Sequence, residues 1–368
     1  MTDNSDKPEK GEKSNWTGKA ALAGAAIGSA ALAAALLAGL PAAAQAWSGV
    51  QHIQVNKAAG RNVPEEMAAF RDFSRPMALP GIYPDLWKES DLDEGPRHYF
   101  EPDRLPAGTD LQALSPVQSD AFRQVGLLPA DVGIAPWAIA DLLAQMTDAM
   151  RTNNWLWAAQ CGAAMGHYVA DLHMPLHCTR NFNGQETWQV GVHTRIEGDM
   201  TKAFFRADRM APGPAIYLED PFRESMGWIE HSAALALEFL KADVIAKRSA
   251  NGRVDTESYY RKLWELTGDS VTRQLEDAVA HLSSLWYTAW VDAGKPAIPA
   301  PFDELPTLSV HSGVGIDPPN EGGPVGTNRS RQNQRYNTII WSVMGGIALL
   351  VVASSLYRGV QDRKAKGK

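Results

Sequence analysis

The sequence predicts an all-α fold, with a single multi-helix domain whose helices are joined by long loops. Apolar residues recur at three- and four-residue spacing along six segments, whereas alternating, strand-like runs are scarce. The six segments are 62–73, 115–125, 136–173, 193–208, 225–248 and 256–292. A hydrophobic content of 45% and twelve tryptophans supply the side chains for one packed core.

Residues 1–46 have the features of a signal peptide for export. Four lysines in a hydrophilic start precede an Ala-rich apolar run over 20–46. The run ends in Ala44-Gln45-Ala46, a small-x-small pattern of the kind that signal peptidases cut. Because the run is also long enough to cross a bilayer, an uncleaved membrane anchor is the alternative. We predict cleavage after Ala46.

One exported domain is predicted over 47–294, followed by a linker over 295–337. Repeated prolines and glycines in the linker predict an extended, poorly ordered segment. Residues 338–357 contain no charged side chain and have the length of one transmembrane helix. Arginine and lysine residues follow over 358–368, which predicts a basic cytoplasmic tail. The domain is therefore expected outside the cytoplasm, in the periplasm or the extracellular space.

Net charge and cysteine content limit the classes of function. The formal net charge is −7, whereas proteins that grip long nucleic acids usually present a basic surface. The two cysteines, Cys161 and Cys178, could pair in an oxidising compartment or ligate zinc directly. If Cys161 opens a helix and Cys178 follows its end, however, the helix separates them by more than a disulfide permits. We therefore predict two buried free thiols.

Side chains of the metal-ligand types are concentrated between residues 161 and 200. They are His167, Asp171, His177, His193 and Glu197. The first two and the last two form pairs spaced by four residues, which places each pair on one face of a helix. Pro175 is expected to end the first helix, which lets His177 turn back toward the same point. Imidazole and carboxylate ligands in such a set are typical of catalytic zinc.

Further candidate ligands lie upstream, and the whole set resembles a known family. The upstream residues are Trp47, His52, Asp85 and His98. In order and spacing, the nine positions are similar to the ligands of the trinuclear zinc hydrolases. That superfamily comprises bacterial zinc-dependent phospholipase C and the fungal and plant single-strand zinc nucleases. The resemblance covers about 47–294 and implies a phosphoesterase built around three zinc ions.

Carried over residue by residue, the resemblance implies three metal sites. The first zinc would be held by Asp85, His98, His167 and Asp171. The second would be held by His177, His193 and Glu197, and the third by Trp47, His52 and Asp171. Trp47 would use its α-amino nitrogen and carbonyl oxygen, and that free amine exists only after cleavage at Ala46. Asp85 would also orient or deprotonate the attacking water.

The resemblance divides between two substrate classes. Glu197, where the nucleases usually have Asp, and the short gap before His193 are similar to the phospholipases. Val50 and Leu86, however, occupy the positions at which choline-selective phospholipases carry an acid and an aromatic residue. Lys88 is similar to a basic residue of the nucleases, so contact between Lys88 and a substrate phosphate is a hypothesis.

We therefore expect an exported zinc phosphoesterase that is tethered to the membrane by its C-terminal helix and hydrolyses phosphodiester bonds like phospholipase C. A nuclease or 3′-nucleotidase that acts on single-stranded nucleic acid with the same zinc cluster is the close alternative. The alternative of another class is a non-catalytic exported module in which zinc only staples the fold. The expected fold is an all-α domain whose long loops surround the zinc cluster.

Overall fold

The computed structural model describes residues 49–88, 91, 93–305 and 309–311. Five long helices make up the body of this part of the chain. They are α1 Gly49–Asn62, α2 Ala135–Arg151, α3 Trp155–Leu172, α4 Pro221–Ser249 and α5 Glu257–Asp292. Over the described residues there is no strand, only an isolated bridge between Phe100 and Gly133. The predicted all-α class is confirmed.

Short helical segments occupy the long connections between these helices. The α-helical ones are Phe70–Phe73, Tyr83–Trp87, Gln118–Val125, Pro129–Val132, Val192–Thr194 and Thr201–Phe204. The 3₁₀ turns are Glu65–Met67, Arg75–Met77, Leu79–Ile82, Gly95–His98, Pro102–Arg104, Leu111–Ala113, Pro175–Cys178 and Ala207–Arg209. A π-helical turn, Arg195–Met200, lies between Val192–Thr194 and Thr201–Phe204. Such turns widen a helix locally and occur often at functional sites.

Side-chain caps set the first residues of three of the long helices. The side chain of Asn154 accepts a hydrogen bond from the backbone N–H of Trp157, which starts α3. Asp220 and Thr256 do the same at the starts of α4 and α5. These residues satisfy N–H groups that have no partner inside the helix. The sequence pattern over 136–173 is therefore interrupted just before Asn154, and two helices form there instead of one.

Close packing between α1 and α3 brings their polar residues together. A Cβ atom on Gly166 would lie 1.9 Å from Oδ1 of Asn56, so only glycine fits at this contact. The Asn56 amide donates to the backbone carbonyls of Ala163 and Met77, both at 3.0 Å. The same approach stacks His52 on His167, with 3.8 Å between the ring centroids. This helix contact therefore builds one wall of the candidate site.

The chain after α5 packs back against the helices. We call residues 296–305 and 309–311, which lie in the range predicted as a linker, the C-terminal strap. Leu305 and Val310 of the strap are buried, and Phe302 contacts Phe73 with 5.9 Å between ring centroids. The indole N–H of Trp290 donates to the carbonyl oxygen of Pro296 at 2.9 Å. Apolar side chains thus hold the described part of this range against the body.

Several predicted features lie outside the described residues. They are the signal peptide over 1–46, Trp47, the transmembrane helix over 338–357 and the basic tail over 358–368. None of the helices within the described ranges is long and apolar enough to cross a membrane. Cys161 and Cys178 are both buried and unbridged, as predicted.

Candidate metal centre

Eight of the nine predicted ligands fall within the described residues, and the fold brings them together. α1 contributes His52, the helix Tyr83–Trp87 contributes Asp85, and the turn Gly95–His98 contributes His98. α3 contributes His167 and Asp171, and three later turns contribute His177, His193 and Glu197. Seven of these residues are buried, whereas the side chain of Asp85 is 20% exposed. Asp85 therefore marks the solvent side of the cluster.

The first ligand group consists of His98, His167 and Asp171, with Asp85 beside it. Nδ1 of His98 lies 2.9 Å from Oδ2 of Asp171 and 3.0 Å from Nε2 of His167. Nε2 of His167 lies 3.3 Å from the same Asp171 oxygen and 3.6 Å from Oδ1 of Asp85. Ligand atoms on a tetrahedral zinc, with bonds of about 2.0–2.1 Å, lie roughly 3.3 Å apart. The separations in this group fit one such ion.

The second ligand group consists of His177, His193 and Glu197. Nε2 of His193 lies 2.8 Å from Oε2 of Glu197, and Nε2 of His177 lies 3.8 Å from Oε1. His193 and Glu197 are four residues apart in a helical segment, as the sequence predicts. The π turn that contains Glu197 does not prevent the two side chains from meeting.

Asp171 lies between the two groups. Its Oδ2 faces His98 and His167, while its Oδ1 lies 3.6 Å from Nε2 of His52 and 4.0 Å from Nδ1 of His177. A single buried carboxylate is thus close to four imidazoles. His52, Asp85 and His167 also place one ligand atom each within 4.8 Å of one another. His52 and Asp171 are the described ligands of the predicted third site, and Asp85 and His167 lie beside them.

Hydrogen bonds outside the cluster orient the imidazoles. Nδ1 of His167 donates to the carbonyl oxygen of Gly81 at 2.7 Å. Nδ1 of His177 donates to the carbonyl oxygen of His98 at 2.5 Å, and Nδ1 of His193 donates to that of Phe182 at 3.1 Å. Each bond fixes the proton on the outer nitrogen, so the inner nitrogen presents a lone pair. Metal-binding histidines in proteins are held in this way.

Several inner atoms are buried without a hydrogen bond. They are both ring nitrogens of His52, Oδ1 of Asp171, Nε2 of His177, Nε2 of His193 and both carboxylate oxygens of Glu197. An unsatisfied buried polar group costs about 1–3 kcal/mol. Atoms of this kind that converge on a few points are suited to ligating cations. The buried His, Asp and Glu groups can therefore hold metal ions.

The pKa values of the clustered side chains are shifted by burial and by their neighbours. Burial raises the pKa of Glu197 well above its ordinary range, and the nearby Asp171 and Asp85 carboxylates raise it further. Burial and the neighbouring His177 lower the pKa of His193 to about 3. The pKa of His52 is lowered in the same way, by burial and then by His167. Carboxylates therefore lie close to other carboxylates, and imidazoles close to other imidazoles. Bound cations would offset the cost of burying these groups together.

Lys88 lies at the exposed edge of the cluster, beside Asp85. Its Nζ is 2.6 Å from Oδ1 of Asp85, and its side chain is 20% exposed. Burial alone would raise the pKa of Asp85, but the nearby His167 imidazole and Lys88 ammonium group outweigh it and lower this pKa to about 2. A carboxylate and an ammonium group therefore face the solvent together.

Two sets of supporting residues have no counterpart among the predicted site residues. Glu94 accepts a hydrogen bond from Nε2 of His98 at 3.1 Å, and its spacing of four from His98 was the available signal. His311 of the C-terminal strap contacts Glu94 from the far end of the chain, and no local pattern marks it. Arg195 and Asp243 form the other set, an ion pair of 2.9 Å beside the second ligand group, whose side chains are 12% and 0% exposed.

The Arg195–Asp243 pair holds the loop that leads to His193. The Arg195 guanidinium donates to the carbonyl oxygens of Val190 and Gln189 at 3.0 and 3.2 Å. Asp243 of α4 also accepts hydrogen bonds from the Gln189 amide at 2.7 Å and from the Tyr259 hydroxyl. The pair therefore ties α4 and α5 to the second ligand group.

Replacing Asp243 with alanine is expected to lower the free energy of unfolding by about 3–5 kcal/mol, because Arg195 is left buried without its partner. Denaturation by urea measures this loss. Asp255→Ala is the matched control, since it breaks an ion pair with Arg253 whose side chains are 71% and 66% exposed. The control should leave stability nearly unchanged. Equal effects in the two variants would contradict the role of the buried pair.

Comparison with known proteins adds no family to this description. A scan of the chain against protein-family models gave no match, and a search of curated proteins gave none. The chemistry and geometry of the ligand groups therefore carry the functional interpretation.

Proposed function

We propose that this chain is a zinc-dependent phosphoesterase. The observation that carries the proposal is the convergence of two buried groups of imidazole and carboxylate donors on either side of Asp171. Nitrogen ligands combined with a few carboxylates suit zinc better than magnesium or calcium, which prefer oxygen ligands. The resemblance of the ligand positions to the trinuclear zinc hydrolases supports the same conclusion.

The proposed zinc ligands follow the ligand groups. Asp85, His98, His167 and Asp171 would hold one ion, and His177, His193 and Glu197 a second. His52 and Asp171 would hold the third together with Trp47, if cleavage after Ala46 frees its amino group. When bound, zinc supplies Lewis acidity toward a phosphoryl oxygen and lowers the pKa of water toward neutrality.

Asp85 and Lys88 are the residues proposed to contact the reacting groups. With a pKa of about 2, the Asp85 carboxylate is ionised at neutral pH, so it can accept a hydrogen bond from the attacking water and orient it. The Lys88 ammonium group lies beside it and can donate to a phosphate oxygen. The remaining ligand side chains are buried, which excludes bulk water from the inner side of the site.

For the substrate we propose the phosphodiester bond of a phospholipid headgroup, cleaved as by phospholipase C. Two features support this choice. Glu197 is similar to the corresponding residue of the phospholipases, and the proposed tether over 338–357 would hold the domain next to a membrane, outside the cytoplasm. Val50 and Leu86 are 53% and 50% exposed, and both are aliphatic. We therefore expect no strong preference for choline, since a quaternary ammonium group is bound best by aromatic faces and acids.

Single-stranded nucleic acid is the second candidate substrate, and the placement of Lys88 favours it. An ammonium group next to the catalytic carboxylate is suited to a backbone phosphate. The same zinc chemistry would then act as a nuclease or a 3′-nucleotidase.

The proposal is tested with a panel of phospholipids, single-stranded DNA, RNA and 3′-nucleotides. Wild-type protein should hydrolyse one class, lose activity with a chelator and regain it with zinc. Asp85→Asn should lower the rate roughly 10²–10⁴-fold, the usual range for a group that moves or orients a proton. Asp269→Asn, an exposed change on α5, is the control and should retain activity. Zinc-loaded protein with no turnover on any substrate would instead support the zinc-stapled, non-catalytic module.

A further inference from the structure

His311 of the C-terminal strap contacts residues within or next to all three elements that carry the first ligand group and Asp85. Its Nε2 lies 2.7 Å from Oε2 of Glu94, the residue next to the turn Gly95–His98. The same nitrogen lies 2.6 Å from the hydroxyl of Tyr168, which follows His167 on α3. Its ring packs edge-on against Trp87, two residues after Asp85, with 5.2 Å between ring centroids. The His311 side chain is only 5% exposed.

Glu94 is the point at which these contacts join. Its Oε1 accepts a hydrogen bond from the Tyr168 hydroxyl at 2.5 Å and lies 3.1 Å from Nε2 of His98. Its Oε2 faces His311, and Arg97 lies 3.8 Å away. The carboxylate is fully buried, so its position depends on these neighbours and not on solvent.

The Glu94 carboxylate sets the orientation of the His98 ring. Nε2 of His98 donates to Glu94, which leaves Nδ1 as the nitrogen that faces Asp171 and His167. Rotation of Glu94 would release the ring and would allow the proton to move to Nδ1, where it blocks metal binding. A partner that fixes both ring and tautomer is typical of metal-binding histidines.

Other residues of the strap pack against the body and hold His311 beside Glu94. Val310, the preceding residue, is fully buried, and Leu305 is 6% exposed. Phe302 packs against Phe73, and the carbonyl oxygen of Pro296 accepts a hydrogen bond from Trp290. The packing therefore does not depend on the His311 ring alone.

We propose that His311 is a positioning residue: through Glu94 it fixes the ring of His98 and so completes the first ligand group. This inference rests on the proposed zinc site. It places a determinant of metal affinity more than two hundred residues from His98, in the segment that leads toward the predicted membrane helix.

The experiment measures zinc binding by the full-length chain, without substrate. Wild type, His311→Ala, His311→Gln and His231→Ala are titrated with zinc in competition with a chromophoric chelator. His231 is an exposed histidine on α4, so its variant controls for loss of an imidazole. Cobalt(II) replaces zinc in a parallel series, because its absorption spectrum reports ligand geometry. Thermal unfolding of the zinc-free proteins measures any general loss of stability.

His311→Ala should weaken one zinc-binding step by about 10–100-fold and leave the other steps unchanged, as expected for loss of an outer partner. Its cobalt spectrum should change, whereas that of His231→Ala should match wild type. His311→Gln, whose amide can still donate to Glu94, should recover most of the affinity.

Other outcomes overturn the inference. If His311→Ala binds zinc as tightly as His231→Ala while wild type binds zinc normally, His311 has no positioning role and the proposed function stands. If every zinc step weakens and the zinc-free protein also unfolds at a lower temperature, the strap only stabilises the fold. If wild type itself binds no zinc, the proposed function fails together with the inference.

Discussion

Replacing Asp171 with asparagine is expected to release zinc from the first ligand group and from the third site, which share its carboxylate, and to abolish hydrolysis. The loss of zinc affinity should exceed the roughly 10–100-fold that follows removal of an outer partner. Asp171 is fully buried and lies within 4.0 Å of ring nitrogens of His52, His98, His167 and His177. No other carboxylate among the eight described candidate ligands is close to so many imidazoles.

The physical reason is the charge of the carboxylate. The inner nitrogens of His98 and His167 present lone pairs toward Asp171, because their outer nitrogens donate to Glu94 and to the carbonyl oxygen of Gly81. The negative charge of the Asp171 carboxylate beside these lone pairs favours the binding of a cation. The asparagine amide is neutral and carries N–H groups, so it does not. The amide has nearly the volume of the carboxylate, so packing is preserved and the charge is tested.

Zinc content after gel filtration and the zinc dissociation constants measure the effect. Asp141→Asn, an exposed change on α2, is the control and should keep the wild-type zinc content. Full zinc content in Asp171→Asn would contradict the assignment of Asp171 as a shared ligand. Loss of only one of these two ions would show that Asp171 serves that site alone.

The ligand pairs on helices were predictable because helical spacing fixes which side chains meet. His167 and Asp171 share a face of α3, and His193 and Glu197 meet as their spacing of four indicates. The free thiols followed from the same argument, since the part of α3 that follows Cys161 separates it from Cys178. In both cases local geometry was sufficient.

The first helix was not predicted, although it carries His52. The helical segment predicted first spans 62–73, whereas α1 is Gly49–Asn62. The inward face of α1 is polar, with Gln51, His52 and Asn56 buried, so the apolar periodicity that marks a helix is weak there. A helix whose buried face carries polar site residues therefore lacks the apolar periodicity that would predict it.

The outer support of the site could not be predicted, because it depends on contacts between distant parts of the chain. Glu94 and His311 meet only after the strap has packed against the helices. Prolines in the strap favour an extended chain, but burial of Leu305 and Val310 decides where that chain lies. Composition predicts local stiffness and cannot show which surface an extended segment covers.

Removal of zinc is expected to lower the thermal stability of the protein strongly. A ligand that binds only the native state stabilises it by about 4 kcal/mol when its free concentration is a thousand times its dissociation constant. One such site corresponds to a fall in Tm of roughly 8–16 °C for a domain of 150–250 residues. The buried groups at the site give a structural reason for a loss of this size.

Without cations these groups oppose the native state. The Glu197 carboxylate is buried and repelled by Asp171 and Asp85, which raises its pKa well above the ordinary range. The Nε2 atoms of His177 and His193 are buried without a hydrogen bond. The zinc-free protein must therefore protonate acids or admit water, and both routes weaken the packing around α3.

Thermal unfolding of the full-length chain, with and without a chelator, measures the effect. Adding zinc back should restore the Tm, while magnesium and calcium should not, because they bind poorly to imidazole. Asp171→Asn provides the matched variant: having already lost two of the three proposed zinc ions, it should show a smaller shift on chelation. An unchanged Tm in wild type whose zinc content has fallen to zero would contradict the prediction, since the ligand groups would then be stable through protons and water alone.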